Sequence, residues 1–132
     1  MIGELSDKMR EVLLETMPIE FSVVDADDKV VAWNKHDTRL FKRPEAVLGR
    51  DVRNCHPKKS LHMVEQILEE MKEGTRDRAR FWIDMTVDDQ EEKILIEYYA
   101  LRDEEGNYLG CVESTQTVTD IQTLEGENRL LD

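Results

Sequence analysis

Cys55-His56, with His62 further along, is the group of side chains best suited to chemistry, because a thiolate and imidazoles are ligands that zinc prefers. The spacing matches no zinc finger, and a four-coordinate site needs further ligands that the sequence does not single out. A Cys-His-Pro run also serves to fix the start of a following helix, so no metal site is expected. The carboxylate pairs Asp27-Asp28, Asp88-Asp89 and Glu104-Glu105 stand in turn segments without apolar neighbours. Neither burial nor a fixed partner would tune their pKa values there, and they read as solvated loop charge. There is no glycine-rich phosphate loop, and no serine or cysteine has an evident base and orienting group. The chain is not expected to be an enzyme.

The elements that position these residues follow from periodicity. Ile2, Leu5, Met9, Val12 and Thr16 recur at spacings of three and four, predicting an amphipathic helix that ends before Pro18. Residues 20–25 and 30–34 are β-favouring runs around a polar turn, an antiparallel hairpin. Pro44 and Gly49 bracket a short helical turn within a mixed segment, 35–53. Ser60 is placed to cap a helix that runs to Glu73 and stops at Gly74. Leu61, Met63, Val64, Ile67, Leu68 and Met71 share one side of it, and His62, Gln66, Glu69 and Glu73 the other.

Three strands are expected at 77–87, 93–102 and 108–118, an antiparallel meander joined by loops at 88–92 and 103–107. Ala79, Phe81, Ile83 and Met85 share one strand face, as do Ile94, Ile96, Tyr98 and Ala100. Thr119 and Gln122 have capping-box spacing for a last helix carrying Ile121, Leu124, Asn128 and Leu131. The chain thus divides into an N-terminal helix (1–17), a core (18–119) and the start of an exit helix (120–132).

A length of 132 residues suits one core, and 39% hydrophobic residues in separated runs mark a folded chain despite 36% charged residues. Thirty acidic residues against 18 basic give a formal charge of −12, which repels phosphates, so nucleic acid is not an expected partner. No apolar run approaches the length that spans a bilayer, and residues 1–14 carry charges where a signal peptide is apolar. The expectation is a cytoplasmic chain away from membranes, with Cys55 and Cys111 as thiols.

This order of elements resembles the PAS family over nearly the whole chain. The resemblance lies in TMPIEFSVVDADDKVVAWN (16–34), LFKRPEAVLGR (40–50), YALRDEEGNYLG (99–110) and TVT (117–119). It implies an α+β fold: a five-stranded antiparallel sheet with helices over one face, enclosing a small cavity and flanked by N- and C-terminal helices. NCHPKKSLH (54–62), FWI (81–83) and LEGENRLL (124–131) are most similar to the PAS domains found beside hemerythrin-like domains in bacterial and archaeal proteins. Two departures stand out: Asp28 where the family often has glycine, and Thr117-Val118-Thr119 where it has Asp-Ile-Thr. The second lacks the acid that usually links sheet and exit helix.

The resemblance brings two cofactors into view. Some haem-binding PAS domains take an axial histidine from the helix that 60–73 resembles, but His62 lies opposite the apolar stripe, leaving His56 to serve. Asn54-Cys55 resembles the reactive cysteine site of flavin-binding, light-sensing relatives. There His56-Pro57-Lys58-Lys59 replaces their Arg-Phe-Leu-Gln continuation, residues 93–102 hold no amide side chain, and Gln116 has the wrong strand parity. Haem stays open as an alternative, flavin is not expected, and the sequence names no cofactor.

The function implied is a sensory, signal-transducing domain that binds a small molecule or mediates protein interaction. The alternatives are a ligand-free dimerisation module setting the geometry of neighbouring domains in a longer protein, or a haem- or metal-binding redox sensor. The expected ligand cavity takes Cys55 and His56 at its rim, Leu61, Val64 and Leu68 from the helix, and Phe81, Ile83, Ile94, Ile96 and Tyr98 from the sheet. A homodimer is expected through two terminal seams, Ile2, Leu5, Met9 and Val12, and Ile121, Leu124, Asn128 and Leu131. Each is too short to be stable alone in water, and a polar Asn128 would favour two strands in fixed register. The outer sheet face, with Trp82, Leu95, Tyr99 and Leu101, offers one helix an intramolecular seat.

Overall fold

The computed structural model describes residues 1–34 and 39–130. Helix α1 (Asp7–Thr16) precedes strands β1 (Glu20–Asp25) and β2 (Val30–Trp33). Single 3-10 turns at Glu45–Val47, Val52–Cys55 and Lys58–Ser60 lead into α2 (Leu61–Glu73). Strands β3 (Arg78–Val87), β4 (Gln90–Arg102) and β5 (Tyr108–Thr117) complete one sheet of spatial order β2-β1-β5-β4-β3, with every neighbouring pair antiparallel. The architecture is the expected α+β arrangement, with helices over one face.

Turn chemistry sets the strand lengths. Asp88 and Asp89 have φ of 49° and 62°, so β3 and β4 join through a two-residue turn and β4 reaches back to Gln90. The five-residue loop expected at 88–92 is therefore absent, because aspartate tolerates the left-handed region that such a hairpin requires. Gly110 lets β1 and β5 approach closely: a Cβ there would lie 2.1 Å from the Val24 carbonyl oxygen.

The core lies between α2 and the inner sheet face. Val64, Leu68 and Met71 of α2 pack with Val24, Val30, Ala79, Ile94, Ile96, Tyr98 and Cys111. Met63, expected in this stripe, is 51% exposed, since it stands about 100° around the helix from Val64. Gly74 ends α2 at φ 83° as expected. Ser60 does not cap it, because the hydroxyl donates to the Pro57 carbonyl at 3.1 Å within the preceding 3-10 turn.

Both termini differ from expectation. The Ser6 hydroxyl accepts the Met9 N–H at 3.1 Å and starts α1 at Asp7, so Ile2 precedes the helix and is fully exposed. After β5 the chain makes only a 3-10 turn, Ile121–Thr123, among the described residues. Thr119, expected to cap an exit helix, instead accepts the Lys93 N–H at 2.9 Å and pins the end of β5 to β4. Ile121, Leu124 and Asn128 are exposed outside any α-helix, and Leu131 lies outside the described residues.

Asp28 overturns the reading of its pair as solvated charge. It is 4% exposed, and its Oδ2 accepts from Arg53 at 2.9 Å and Lys72 at 2.6 Å. The β1–β2 turn is thereby fastened to the 52–55 turn and to α2, with Asp28 held at φ 63°. Asp28→Asn keeps the left-handed propensity and removes the charge that both cations share. A loss of about 1–3 kcal/mol is expected in urea denaturation, and Lys72→Met should then cost less in that variant than in the wild type.

Candidate functional site

The inner sheet face can be followed in rows of directly paired residues. One row runs Glu20, Thr115, Ile96, Phe81, and the next Ser22, Glu113, Tyr98, Ala79. On β1 and β5 these rows are polar, although Glu20, Ser22 and Thr115 are each at most 7% exposed. A sheet face packed only for stability would carry apolar side chains there.

The 39–43 segment crosses these rows and supplies their partners. The Arg39 guanidinium donates to the carbonyls of Phe21 (3.2 Å) and Asn34 (2.9 Å), to Asn34 Oδ1 (3.0 Å) and to Ser22 Oγ (3.3 Å). Arg43 Nε donates to the same Ser22 Oγ at 3.0 Å, and another of its nitrogens stands 3.9 Å from the Glu113 carboxylate. Glu20 accepts the backbone N–H groups of Leu40 (2.7 Å) and Phe41 (3.1 Å). Asn34, 1% exposed, accepts from the Phe21 N–H and donates to the carbonyls of Ile19 (2.8 Å) and Leu14 (3.4 Å).

Three titratable groups face this network. Burial, and then the charge and hydrogen bond of Glu113, push the Tyr98 phenol well above its usual pKa, leaving a neutral donor. Burial, with Glu113 adding to it, raises the Cys111 thiol to about 12, so it is not a nucleophile at neutral pH. His56 is lowered by burial, with Glu113 opposing and Arg43 reinforcing that shift. Its Nε2 is buried and has no hydrogen-bond partner among the described residues. A cleft of about 200 Å3, lined by Pro18, Ile19, Glu20, Leu40, Thr115, Gln116 and Thr117, opens onto the polar end of the sheet.

Of the expected cavity residues, Val64, Leu68, Ile94, Ile96 and Tyr98 meet in one cluster, Cys55 packs against it, and Leu61 is half-buried. Phe81 stacks on Tyr98 with ring centroids 5.8 Å apart, but Phe81 and Ile83 lie on the edge strand, 38% and 39% exposed. His62 faces solvent, and His56 is set against an ion pair rather than an apolar wall, so neither fits a haem ligand. No group of three His, Cys, Asp or Glu is placed to hold a metal among the described residues. Sequence reasoning missed Glu20, Ser22, Arg39, Arg43, Glu113 and Thr115. The available signal was the alternation in EFSVVD, whose polar members Glu20 and Ser22 share the inner face with Val24.

A family model described as PAS domain matches residues 11–122. The chain belongs to the PAS domain family. The match takes in both the buried polar rows and the 39–43 segment. Among solved structures, a C-terminal domain from Streptococcus mutans is 28% identical with a TM-score of 0.84, over 95% of this chain and 94% of that one. The PAS domain of Bordetella pertussis BvgS is 19% identical with a TM-score of 0.63, over 85% of each chain. VqmA bound to DPO is 18% identical with a TM-score of 0.61, over 85% of this chain and 57% of that one. No curated protein matches the chain.

The His56 environment gives this PAS domain a pH signature. In the unfolded chain the imidazole titrates near its ordinary value of about 6.5, and in the folded protein lower, so unfolding takes up a proton between the two. Stability is complete above that window and is lost as pH falls through it. Between neutral pH and about pH 5, the wild type should lose more stability in urea titrations than His56→Gln. Equal losses would remove His56 as the cause.

Proposed function

We propose that this PAS domain is a sensory module that binds a small ligand at the polar rows of the inner sheet face, beside the 39–43 segment. The observation that carries the reading is His56 Nε2, which, like Asp28 Oδ1 and the Tyr108 hydroxyl, is buried without a hydrogen-bond partner among the described residues, and which lies beside the enclosed Arg43–Glu113 pair. Native proteins rarely leave such an atom unsatisfied, and a bound molecule supplies the missing partner. The VqmA structure, similar in fold, is described as bound to DPO, which supports a ligand in a pocket of this architecture. A sensory box histidine kinase from Vibrio cholerae, 14% identical with a TM-score of 0.57, supports a signalling role. Catalysis is not part of the reading, because the pocket offers no activated nucleophile.

Asn34 joins the pocket to the rest of a signalling chain. It holds Arg39 on one side and the carbonyl of Leu14 in α1 on the other, so occupancy of the pocket is felt at the N-terminal helix. The similarity of residues 54–62 and 124–131 to hemerythrin-associated PAS domains supports a helical neighbouring domain as the recipient. No helix among the described residues is long and apolar enough to cross a membrane. The net charge of −12 and the two free thiols support a cytoplasmic setting.

The test is thermal denaturation in fractions of a bacterial small-molecule extract. At least one fraction should raise the Tm of the wild type by several degrees and leave His56→Phe and Glu113→Ala unmoved. If no fraction raises the wild-type Tm, or if the variants respond equally, the pocket is not a ligand site.

A homodimer through α1 is a second element of the reading, favoured by the exposure of that helix. Met9, Val12, Leu13 and Leu14 are 59%, 52%, 46% and 42% exposed, and a helix of ten residues is marginal in water unless it is covered. The exposed Trp82 on the outer sheet face offers further apolar contact. Sedimentation equilibrium at micromolar concentrations should give a dimer that Met9→Glu with Val12→Glu converts to a folded monomer. A wild-type monomer, or a dimer indifferent to both changes, would refute it.

A further inference from the structure

We infer that the open edge of β3 pairs with the same edge of a second copy of this chain, antiparallel about a two-fold axis at Trp82, so that two domains share one continuous sheet. The inference goes beyond the ligand reading and depends neither on it nor on the α1 contact.

The first ground is an edge with little to protect it. β3 ends the sheet, and among the described residues no strand lies beyond it. It runs for 10 residues in unbroken register with β4, without a bulge, and holds no proline or glycine. Arg80, Phe81, Trp82, Ile83 and Asp84 are all exposed, so large apolar side chains stand on both faces at its middle. Folded proteins protect such an edge with a bulge, a proline, a covering segment or charges, since it is otherwise a template for another strand. Only charges are present here, and they match a second copy.

The phase of the backbone is the second ground. The two-residue turn at Asp88-Asp89 makes Val87 and Gln90 a hydrogen-bonded pair, and at the far end the Ala100 N–H donates to the Asp77 carbonyl at 2.9 Å. Bonded and non-bonded pairs alternate along antiparallel strands, so the free N–H and C=O groups of Arg78, Arg80, Trp82, Asp84 and Thr86 point away from β4. A second copy turned about Trp82 presents the same groups in the same phase.

Complementarity is the third. With Trp82 opposite its own counterpart, Arg80 meets Asp84, Arg78 meets Thr86, Phe81 meets Ile83 and Ala79 meets Met85. Arg80 already pairs with Glu97 at 2.9 Å and Asp84 with Lys93, yet the two side chains are 48% and 56% exposed and can each take a further ion. One row of the joined sheet then reads Glu97, Arg80, Asp84, Lys93, alternating in sign across the axis. Registers that set Arg80 opposite Trp82, or opposite another Arg80, lose this row. The contact uses each edge once and closes at two copies. A single strand edge is a smaller contact than the roughly 1,200–2,000 Å2 of stable complexes, so the pairing belongs at concentrations on the order of hundreds of micromolar.

The full chain carrying Met9→Glu with Val12→Glu lacks the α1 contact and isolates the edge. By sedimentation equilibrium it should be a monomer at micromolar concentration and a dimer at about 0.5 mM, and amide exchange at Arg80, Trp82 and Asp84 should slow in the dimer. Trp82→Glu should weaken the association at least about tenfold. Arg80→Asp and Asp84→Arg, each added singly, should abolish self-association because like charges then meet, and an equimolar mixture of the two should form a heterodimer. If Arg80→Asp does not fold by circular dichroism, the loss in Asp84→Arg still decides; if the α1 variant itself does not fold, amide exchange in the wild-type chain at about 0.5 mM decides. A monomer at that concentration overturns the inference and leaves the edge to a strand of another protein. So does a dimer with unchanged exchange at these amides, one indifferent to Trp82→Glu and Asp84→Arg, or a mixture that stays monomeric. The oligomeric state of the unaltered chain at micromolar concentration tests α1 and not the edge, so the two fail separately.

Discussion

Two glutamates of the inner sheet face and two arginines of the segment that crosses it, all buried or half-buried, must satisfy one another, and that requirement shapes the surrounding chain. Isolated in an apolar interior, Glu20, Glu113, Arg39 or Arg43 would each be strongly unfavourable, and only a set that is hydrogen-bonded and neutral in sum is tolerable. The 39–43 segment meets this need because it is not in a regular element. Its backbone N–H groups at Leu40 and Phe41 are free to cap Glu20, and its two arginines converge on one serine oxygen. A helix or strand in this position would have spent those donors on its own ladder.

Two clasps therefore hold the helical side of the molecule to the sheet, and they differ in kind. Asp28 fastens α2 through Lys72 and the 52–55 turn through Arg53, with both cations still partly in water. The inner network is drier and ends in groups that are incompletely paired: the imidazole nitrogen of His56 and the stretched Arg43–Glu113 contact. Asp28 also keeps one oxygen, Oδ1, buried without a partner among the described residues, although its Oδ2 binds two cations. Asn34 extends the second network to the carbonyls of Ile19 and Leu14, so that network and α1 share one set of hydrogen bonds.

Much of the fold was legible because local chemistry and tertiary packing agree there. The hairpins, the Gly74 stop and the α2 face at Val64, Leu68 and Met71 all follow from turn residues and periodicity. Misreadings arose where a side chain had two uses. Thr119 has the chemistry of a cap but bonds to Lys93, Ser60 bonds backwards to Pro57, and Asp28 has the chemistry of an exposed turn but is enclosed by residues from distant segments. The expected cavity was likewise drawn, apart from Cys55 and His56 at its rim, from aliphatic and aromatic residues. Tyr98 and His56 fell inside the polar cluster, whereas Phe81 and Ile83 came to rest on an exposed edge.

By itself the sequence determined the order of elements from α1 to β5, the antiparallel meander, the stripe by which α2 meets the sheet, and a resemblance sufficient to indicate the family. Those properties depend on neighbours within a few residues, where period and turn type speak directly. Only the tertiary structure decided that Ser22, Arg43, Glu113 and Tyr98 form one group. Strand register across β1, β5 and β4 brings together residues separated by most of the chain, and a non-helical segment closes over them. Whether a glutamate is solvated or buried against an arginine depends on that register, and no local period encodes it.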